Sequence, residues 1–325
     1  MRNQLSQDRV NLAFRDSLGP VIQAALSDTN VVEVMVNPDG RIWIDQIRGG
    51  RTDTGQLLDF PTTETIIRLV ADHIGETVTQ DAPLIAGTIP ETGERFQGLL
   101  PPLTANPSFT IRKRPAVIFT LEDYQAAGIM SAEQAKILRR ALEQRKNILI
   151  AGGTGTGKTT FVNALLAEPV FAKDRIVIIE DTAELQCIAE DQVKLLTKRS
   201  EPAVTMRDLV KTTLRLRPDR IIIGEIRDGS ALDMLKAWNT GHPGGVGTVH
   251  ANSAEDALYR IEDLIGEVSQ TIPKRAIAQG IDLIVYMERD QIRSAGRVIR
   301  SIVSVEGIRD GNYEMVALGS LIAKL

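Results

Sequence analysis

Residues 147–160 read NILIAGGTGTGKTT, an apolar run that passes directly into glycine and threonine and then reaches a lysine. The run is short and apolar throughout, as a strand buried on both faces must be. The glycine-rich part fits the spacing G-x-x-x-x-G-K-[ST]. Gly152, Gly157, Lys158 and Thr159 hold the fixed positions, and Gly153, Thr154, Gly155, Thr156 and Thr160 complete the loop. A glycine-rich piece costs backbone entropy to order, so a demanding turn or a bound partner should explain it. Between a strand and a helix it makes an anion nest. Backbone N–H groups turn inward around a β-phosphate, and the helix adds its positive N-terminal end. A Cβ in such a loop would crowd the phosphates. Lys158 would neutralise the β- and γ-phosphates and the Thr159 hydroxyl would ligate Mg²⁺, so the loop reads as a site for ATP with Mg²⁺.

From Asn147 onward, the apolar segments NILIAG, RIVIIED, VKLLT, RIIIGE, VGTVH and LIVYMER alternate with helical patterns. Strands apolar on both faces fit between two helix layers, which predicts a doubly wound α/β domain over 131–325. Ser131, with Gln134 three residues on, carries the capping-box signature that opens its first helix. Upstream, VVEVMV and RIWID flank the turn NPDG and read as a hairpin. TTETIIRLVADHIG aligns Ile66, Ile67, Val70 and Ile74 on one helical face and stops at Gly75. RFQGLLPPL and SFTIRKR read as strands broken by prolines. These segments predict a smaller α+β domain over 1–115. A linker over 116–130 holds a short helix beginning at Thr120.

A length of 325 residues suits about two domains, and 43% hydrophobic with 25% charged residues is globular composition. The formal charge of -4 gives no global case for nucleic-acid or membrane binding. Cys187, the only cysteine, excludes an intramolecular disulfide and a cysteine-built zinc site. The first ten residues, MRNQLSQDRV, lack a signal peptide's apolar stretch. No run approaches the roughly 20 apolar residues of a bilayer span. A cytoplasmic protein without an integral membrane segment is expected.

Hydrolysis needs acids, a water-positioning group and charge stabilisers beyond the phosphate loop. In RPDRIIIGEIRD, Glu225 follows a buried strand at the edge where open α/β sheets bind ligands. There it would hold Mg²⁺ directly or through water; an ordinary strand-end acid is the alternative. RIVIIEDTAEL delivers Glu180 and Asp181 to the same edge. Glu180 would orient or deprotonate the attacking water with Asp181 in support, although acidic pairs at strand ends are common. His250 follows the strand VGTV and precedes Ser253, a helix N-cap, and could contact a γ-phosphate; lone histidines are more often structural. His242 and His73 read as structural. Arg95, Arg112, Lys113 and Arg114 close the first domain as either a solvated basic face or a source of guanidinium charge for the γ-phosphate.

In this order, GGTGTGKTT, IIEDTAEL, RPDRIIIGEIRD and GTVHANSAEDAL resemble the Walker A, Asp box, Walker B and His box of the type II/type IV secretion and pilus ATPase superfamily. Glu225 stands where a Walker B aspartate is more familiar. The chain is most similar to the conjugal transfer ATPases of the TrbB type, and it lacks the four-cysteine zinc motif of the type II secretion members. The resemblance implies a RecA-like core and a homo-hexameric ring. ATP would bind between the two domains, and hydrolysis would drive conjugal transfer, secretion or pilus assembly. Partners would be secretion or conjugation proteins at the inner membrane, with peripheral membrane association; direct DNA contact stays open. It assigns Lys158 and Thr159 to Walker A, Glu180 to the Asp box, Glu225 to Walker B and His250 to the His box. Arg95 and Arg112, and less securely Arg114, match arginines that reach the γ-phosphate. A P-loop phosphotransferase and a nucleotide-gated, non-catalytic scaffold are the competing functions.

Overall fold

The computed structural model describes residues 2–47, 49–89, 92–113, 118–198, 201–293 and 295–318, with side chains from residue 12 onward. Arg114 and the first residues of the expected linker lie outside these. Two compact units divide the chain, Met1–Ala116 and Val117–Leu325.

The first unit runs α1 (Arg2–Ser27), β1 (Val31–Val36), β2 (Arg41–Gln46), β3 (Gly50–Leu57), α2 (Phe60–His73), β4 (Leu84–Thr88), β5 (Arg95–Leu99) and β6 (Ser108–Arg112). Its strands form one antiparallel sheet in the order β3-β2-β1-β6-β5-β4 among the described residues. The NPDG turn joins β1 and β2 as a hairpin. Asp59 caps α2 by accepting from Thr62 N at 2.8 Å, and the helix buries Ile66, Ile67 and Val70 as its spacing predicts. Phe14, Leu18 and Ile22 of α1 share that core with Val34, Phe96, Phe109 and Ile111 of the sheet. The sequence pattern does not announce α1, because Gly19 breaks it: at φ 68° and ψ 169° this residue is not helical, and Pro20 comes next.

The second unit runs α3 (Leu121–Ala126), α4 (Ala132–Glu143), β7 (Ile148–Gly152), α5 (Lys158–Leu166), β8 (Ile176–Glu180), β9 (Gln192–Leu196), α6 (Met206–Thr213) and β10 (Arg220–Ile223). It continues through α7 (Ser230–Asn239), β11 (Val246–Val249), α8 (Ala254–Gly266), α9 (Lys274–Gly280), β12 (Leu283–Arg289), β13 (Arg297–Arg309) and β14 (Asn312–Leu318). Among the described residues its sheet has the order β14-β13-β12-β7-β11-β10-β8-β9. The strands from β12 to β9 are parallel, and β13 and β14 add an antiparallel edge. Side chains alternate between two cores, one on each face. Leu149, Val177, Ile179, Ile221 and Ile223 pack on one side with α6 to α9. Ile148, Ile150, Ile176, Ile178 and Ile222 pack on the other with α3, α4 and α5. This two-layer burial is why the runs read as continuously apolar.

The segment 118–130 departs from the expected linker. Thr120 forms a full capping box with Asp123, and Leu121, Tyr124 and Met130 enter the second unit's core, with Tyr124 5.2 Å from the Phe161 ring. Its proline and glycine boundaries resemble a tether, but its apolar side chains belong to the domain after it.

At the N-terminal ends of the parallel strands, Arg220 is only 1% exposed. Its Nε donates to Asp174 Oδ2 at 2.6 Å, its Nη1 donates to the Leu142 carbonyl at 3.0 Å, and the Phe171 ring centroid lies 4.8 Å from its Cζ. Arg145 donates to the other Asp174 oxygen at 2.6 Å. Removing one partner of a buried ion pair leaves an uncompensated charge, which costs about 3–5 kcal/mol. Asp174→Ala is expected to lose about that much in urea unfolding. Because this cluster sits at the end of the sheet away from the glycine loop, nucleotide affinity measured on the folded fraction should stay within about twofold of wild type.

Candidate nucleotide site

β7 ends at Gly152, and the chain turns through Gly155 and Gly157 at φ 71° and 91°, left-handed values that other residues adopt at a cost. Gly157 is the N-cap of α5 and no side chain caps that end. The first backbone N–H groups of a helix have no acceptor within it, so the loop presents donors to an anion.

The surroundings of the loop glycines differ, and at Gly152 protein backbone as well as the phosphates anticipated from sequence excludes a side chain. A Cβ on Gly152 would lie 2.5 Å from the Met287 carbonyl oxygen on β12 and 2.8 Å from Thr156 Oγ1. On Gly155 and Gly157 it would run into the guanidiniums of Arg289 and Arg297, 3.2 and 3.4 Å from their Cζ atoms. Gly153 is different, with only Thr156 Cγ2 near, at 3.9 Å. Thr156 is buried and donates to the Gly153 carbonyl at 3.0 Å, fastening the loop across its mouth.

Lys158 opens α5, and its Nζ donates to the carbonyls of Gly152 at 2.9 Å and Gly153 at 3.0 Å. Burial pulls its pKa down to about 8, with Arg227 adding to the shift and Glu225 opposing it. The same Nζ lies 3.3 Å from His250 Nδ1, and His250 Nε2 lies 2.7 Å from Glu225 Oε1. An ammonium only donates, so Nδ1 accepts and the ring proton sits on Nε2, facing the carboxylate. Burial and the nearby Lys158 hold His250 below its usual pKa, against the pull of Glu225.

Glu225 Oε2 accepts from Arg227 Nε at 2.7 Å, and Arg227 Nη1 reaches Asp181 Oδ2 at 3.3 Å. Asp181 Oδ1 in turn accepts from Thr197 Oγ1 at 3.0 Å. Glu180, the last residue of β8, is 3% exposed. Its Oε1 accepts from the backbone N–H groups of Glu184 and Leu185 at 2.8 and 2.9 Å. Its Oε2 is buried with no hydrogen-bond partner among the described residues. Burial raises the Glu180 pKa, opposed by those two amides. Gly224 lies against it, since a Cβ there would stand 3.0 Å from Glu180 Cγ.

Lys158, His250, Glu225 and the pair Glu180 and Asp181 follow or end β7, β11, β10 and β8, which are neighbours in that order in the sheet. Thr159 and Thr160 lie in the first turn of α5 and are half-buried. Thr154 and Gly155 are exposed. Arg95 and Arg112 belong to the first unit, where they stand directly opposite each other on β5 and β6. Arg112 Nε is 3.7 Å from Glu33 Oε1 on β1. Arg227 is the member that sequence reasoning passed over. Its only signal is a position two residues after Glu225, where it reaches that acid and Asp181 together.

A parallel sheet with this loop at its centre and these acids along one rim defines a P-loop ATPase with a RecA-like core. Residues 80–296 match the family model described as "Type II/IV secretion system protein". The conjugal transfer protein TrbB of Rhizobium radiobacter is 46% identical over 95% of this chain and 94% of its own length. The type IV secretion system protein VirB11 of Bartonella henselae is 30% identical over 82% of this chain and 87% of its own. The chain belongs to the type II/IV secretion system protein family. Two solved structures share the fold. The pilus retraction motor PilT with bound ADP gives a TM-score of 0.63 at 21% identity, covering 92% of this chain and 82% of that one. The Legionella pneumophila ATPase DotB gives 0.59 at 18%, covering 85% and 77%.

The unequal surroundings of the loop glycines can be read out directly. Gly152→Ala must push into the Met287 carbonyl, and overpacking of this kind costs about 1–3 kcal/mol. Calorimetry should show a clear fall in its unfolding temperature, whereas Gly153→Ala should unfold at nearly the wild-type temperature.

Proposed function

We propose that this protein is a Mg²⁺-dependent ATPase that powers conjugal transfer, with Lys158, Thr159, Glu180, Glu225 and His250 forming the reaction site. The observation that carries the proposal is the hydrogen-bonded chain from Lys158 through His250 to Glu225 and on through Arg227 to Asp181, beside the unpartnered Glu180 Oε2. A buried polar atom without a partner is expensive, and a substrate water is the partner this one suits. Glu180, with its raised pKa, would hold that water and take its proton as attack on the γ-phosphate proceeds. Lys158 would bind the β- and γ-phosphates, with the amides of Gly153 to Thr159 around them.

The donor set suits Mg²⁺. Among the described residues no group of three or more His, Cys, Asp or Glu side chains is arranged to hold a metal ion. Mg²⁺ in nucleotide sites takes few protein ligands and keeps phosphate oxygens and waters. The Thr159 hydroxyl and Glu225, the latter through water, would hold it, and the bound ion would offset charge on the phosphate oxygens. Arg95 and Arg112 would supply guanidinium charge to the γ-phosphate. That assignment rests on the family resemblance and on their side-by-side placement in the first unit. Loss of the γ-phosphate would then release those arginines and turn hydrolysis into movement of one domain.

The conjugal role is supported by the 46% identity to a conjugal transfer protein along nearly the whole chain. A homo-hexameric ring, docking on transfer machinery at the inner membrane, and a cytoplasmic location complete the reading. No helix among the described residues is long and apolar enough to cross a membrane.

Release of inorganic phosphate from ATP with Mg²⁺ tests the activity and separates hydrolysis from transfer to an acceptor. Lys158→Ala should show no turnover, and a wild-type rate in that variant would overturn the assignment. Glu180→Gln and Glu225→Gln should each slow release roughly 10²-fold or more while leaving ATP affinity within several-fold. Arg112→Ala should lose turnover with an unchanged circular dichroism spectrum. Light scattering with and without nucleotide reads the assembly, where a strict monomer in both would exclude the ring.

A further inference from the structure

We propose that Arg289 and Arg297 form a second wall of the phosphate cradle and grip the diphosphate portion of the nucleotide, the part common to ATP and ADP. This rests on the nucleotide reading given under the proposed function and adds two binding residues to it.

Arg289 ends β12 and Arg297 begins β13, and the two stand directly opposite each other in that antiparallel pair. β12 is also the parallel neighbour of β7, with Met287 opposite Gly152. This register brings the turn end of the hairpin, where Arg289 and Arg297 lie, against the loop. Arg289 then rests on Gly155 and Arg297 on Gly157, so each left-handed glycine carries one guanidinium at the place where a side chain would begin. Any other residue at either position would meet an arginine as well as backbone strain.

The charge balance of the hairpin singles out the same two residues. The two carboxylates next to the turn are already engaged: Glu288 accepts from Arg300 Nε at 2.7 Å, and Asp290 from Arg293 Nε at 3.2 Å. Among the described residues Arg289 and Arg297 have no ion pair with a carboxylate. Like charges directly opposite in a sheet are destabilising. Here Arg297 also sits at Gly157, the N-cap of α5, where the helix end is positive. An anion between the loop amides and the two guanidiniums removes that conflict. Guanidinium is the group best shaped for it, since its planar fork meets phosphate oxygens two at a time.

The position along the ligand is set by the glycines. The amides of a P-loop surround the α- and β-phosphates, so residues lying on Gly155 and Gly157 contact the part retained after hydrolysis. Arg289 and Arg297 therefore hold ATP and ADP alike, unlike groups that sense the γ-phosphate.

Calorimetric titration of full-length Arg289→Ala and Arg297→Ala with Mg-ATP, Mg-ADP and inorganic pyrophosphate tests this, alongside Arg289→Lys and Arg297→Lys. Charge-assisted hydrogen bonds of this strength imply a loss of roughly 10- to 100-fold in each alanine variant. The loss should be equal within about threefold for the three ligands and partly recovered by lysine, with the ligand-free unfolding temperature of the alanine variants unchanged or raised as the like-charge conflict is relieved. Weakening of ATP alone would overturn the proposal in favour of γ-phosphate sensing. Weakening of ATP and ADP but not pyrophosphate would overturn it in favour of base or ribose contact. Unchanged affinities, or a fall in the ligand-free unfolding temperature with no recovery by lysine, would leave the arginines a purely structural role and end it. Should wild type bind none of the three ligands, the nucleotide reading itself fails, a result distinct from any loss confined to the variants.

Discussion

One neutral imidazole holds the site together. His250 accepts from the Lys158 ammonium at Nδ1 and donates to Glu225 from Nε2, which fixes its tautomer without a bound ligand. With His250 removed from between them, the lysine and the carboxylate could approach as an ion pair, and both would be less available to phosphate and metal. The imidazole instead keeps a cation and an anion a ring's width apart, each still hydrogen-bonded. The spacing depends on strand order: β7, β11 and β10 are adjacent and parallel, so the residues after their C-terminal ends reach one rim in that sequence. Extending the order to β8 adds Glu180 and Asp181. Both pKa shifts agree with this arrangement, since burial lowers Lys158 only to about 8 and favours the uncharged form of His250.

What could be read from the residues was local. The phosphate loop, the doubly buried strands, the capping box at Ser131 and the helix start at Thr120 each declare themselves within a few positions, because turn chemistry and burial period act over that range. Partnerships across the chain were not legible. His250 meets Lys158 across 92 positions, and nothing near either residue names the other. Arg227 is, by position, one more charged residue after a strand, and only the fold brings Asp181 beside it. α1 was hidden by a kink at Gly19. The linker expected over 116–130 was misleading for a related reason: proline and glycine mark where the chain turns, while the burial of Leu121 and Tyr124 decides which domain a segment joins.

Each unit carries a directly opposed pair of arginines, Arg95 with Arg112 and Arg289 with Arg297. A sheet chosen for stability alone would avoid such pairs. Within the first unit Arg112 has Glu33 opposite it on β1, 3.7 Å from its Nε. Among the described residues the acids beside the β12–β13 pair are engaged by Arg293 and Arg300 instead.

The glycines of the loop connect these features. Had they served only to let phosphate approach the backbone, the space beside them would be open to solvent, as it nearly is at Gly153. Instead Gly152 abuts the Met287 carbonyl, and Gly155 and Gly157 abut the two arginines. β12 therefore bounds the loop rigidly at Gly152, while Gly155 and Gly157 are fixed by their own left-handed backbone and meet only the ends of two arginine side chains. A cradle already ordered by its neighbours loses little conformational entropy on binding, and that loss is the main penalty a glycine-rich loop would otherwise carry. The antiparallel edge added beyond β12 thus reaches the loop, because β13 supplies the Arg297 guanidinium beside Gly157.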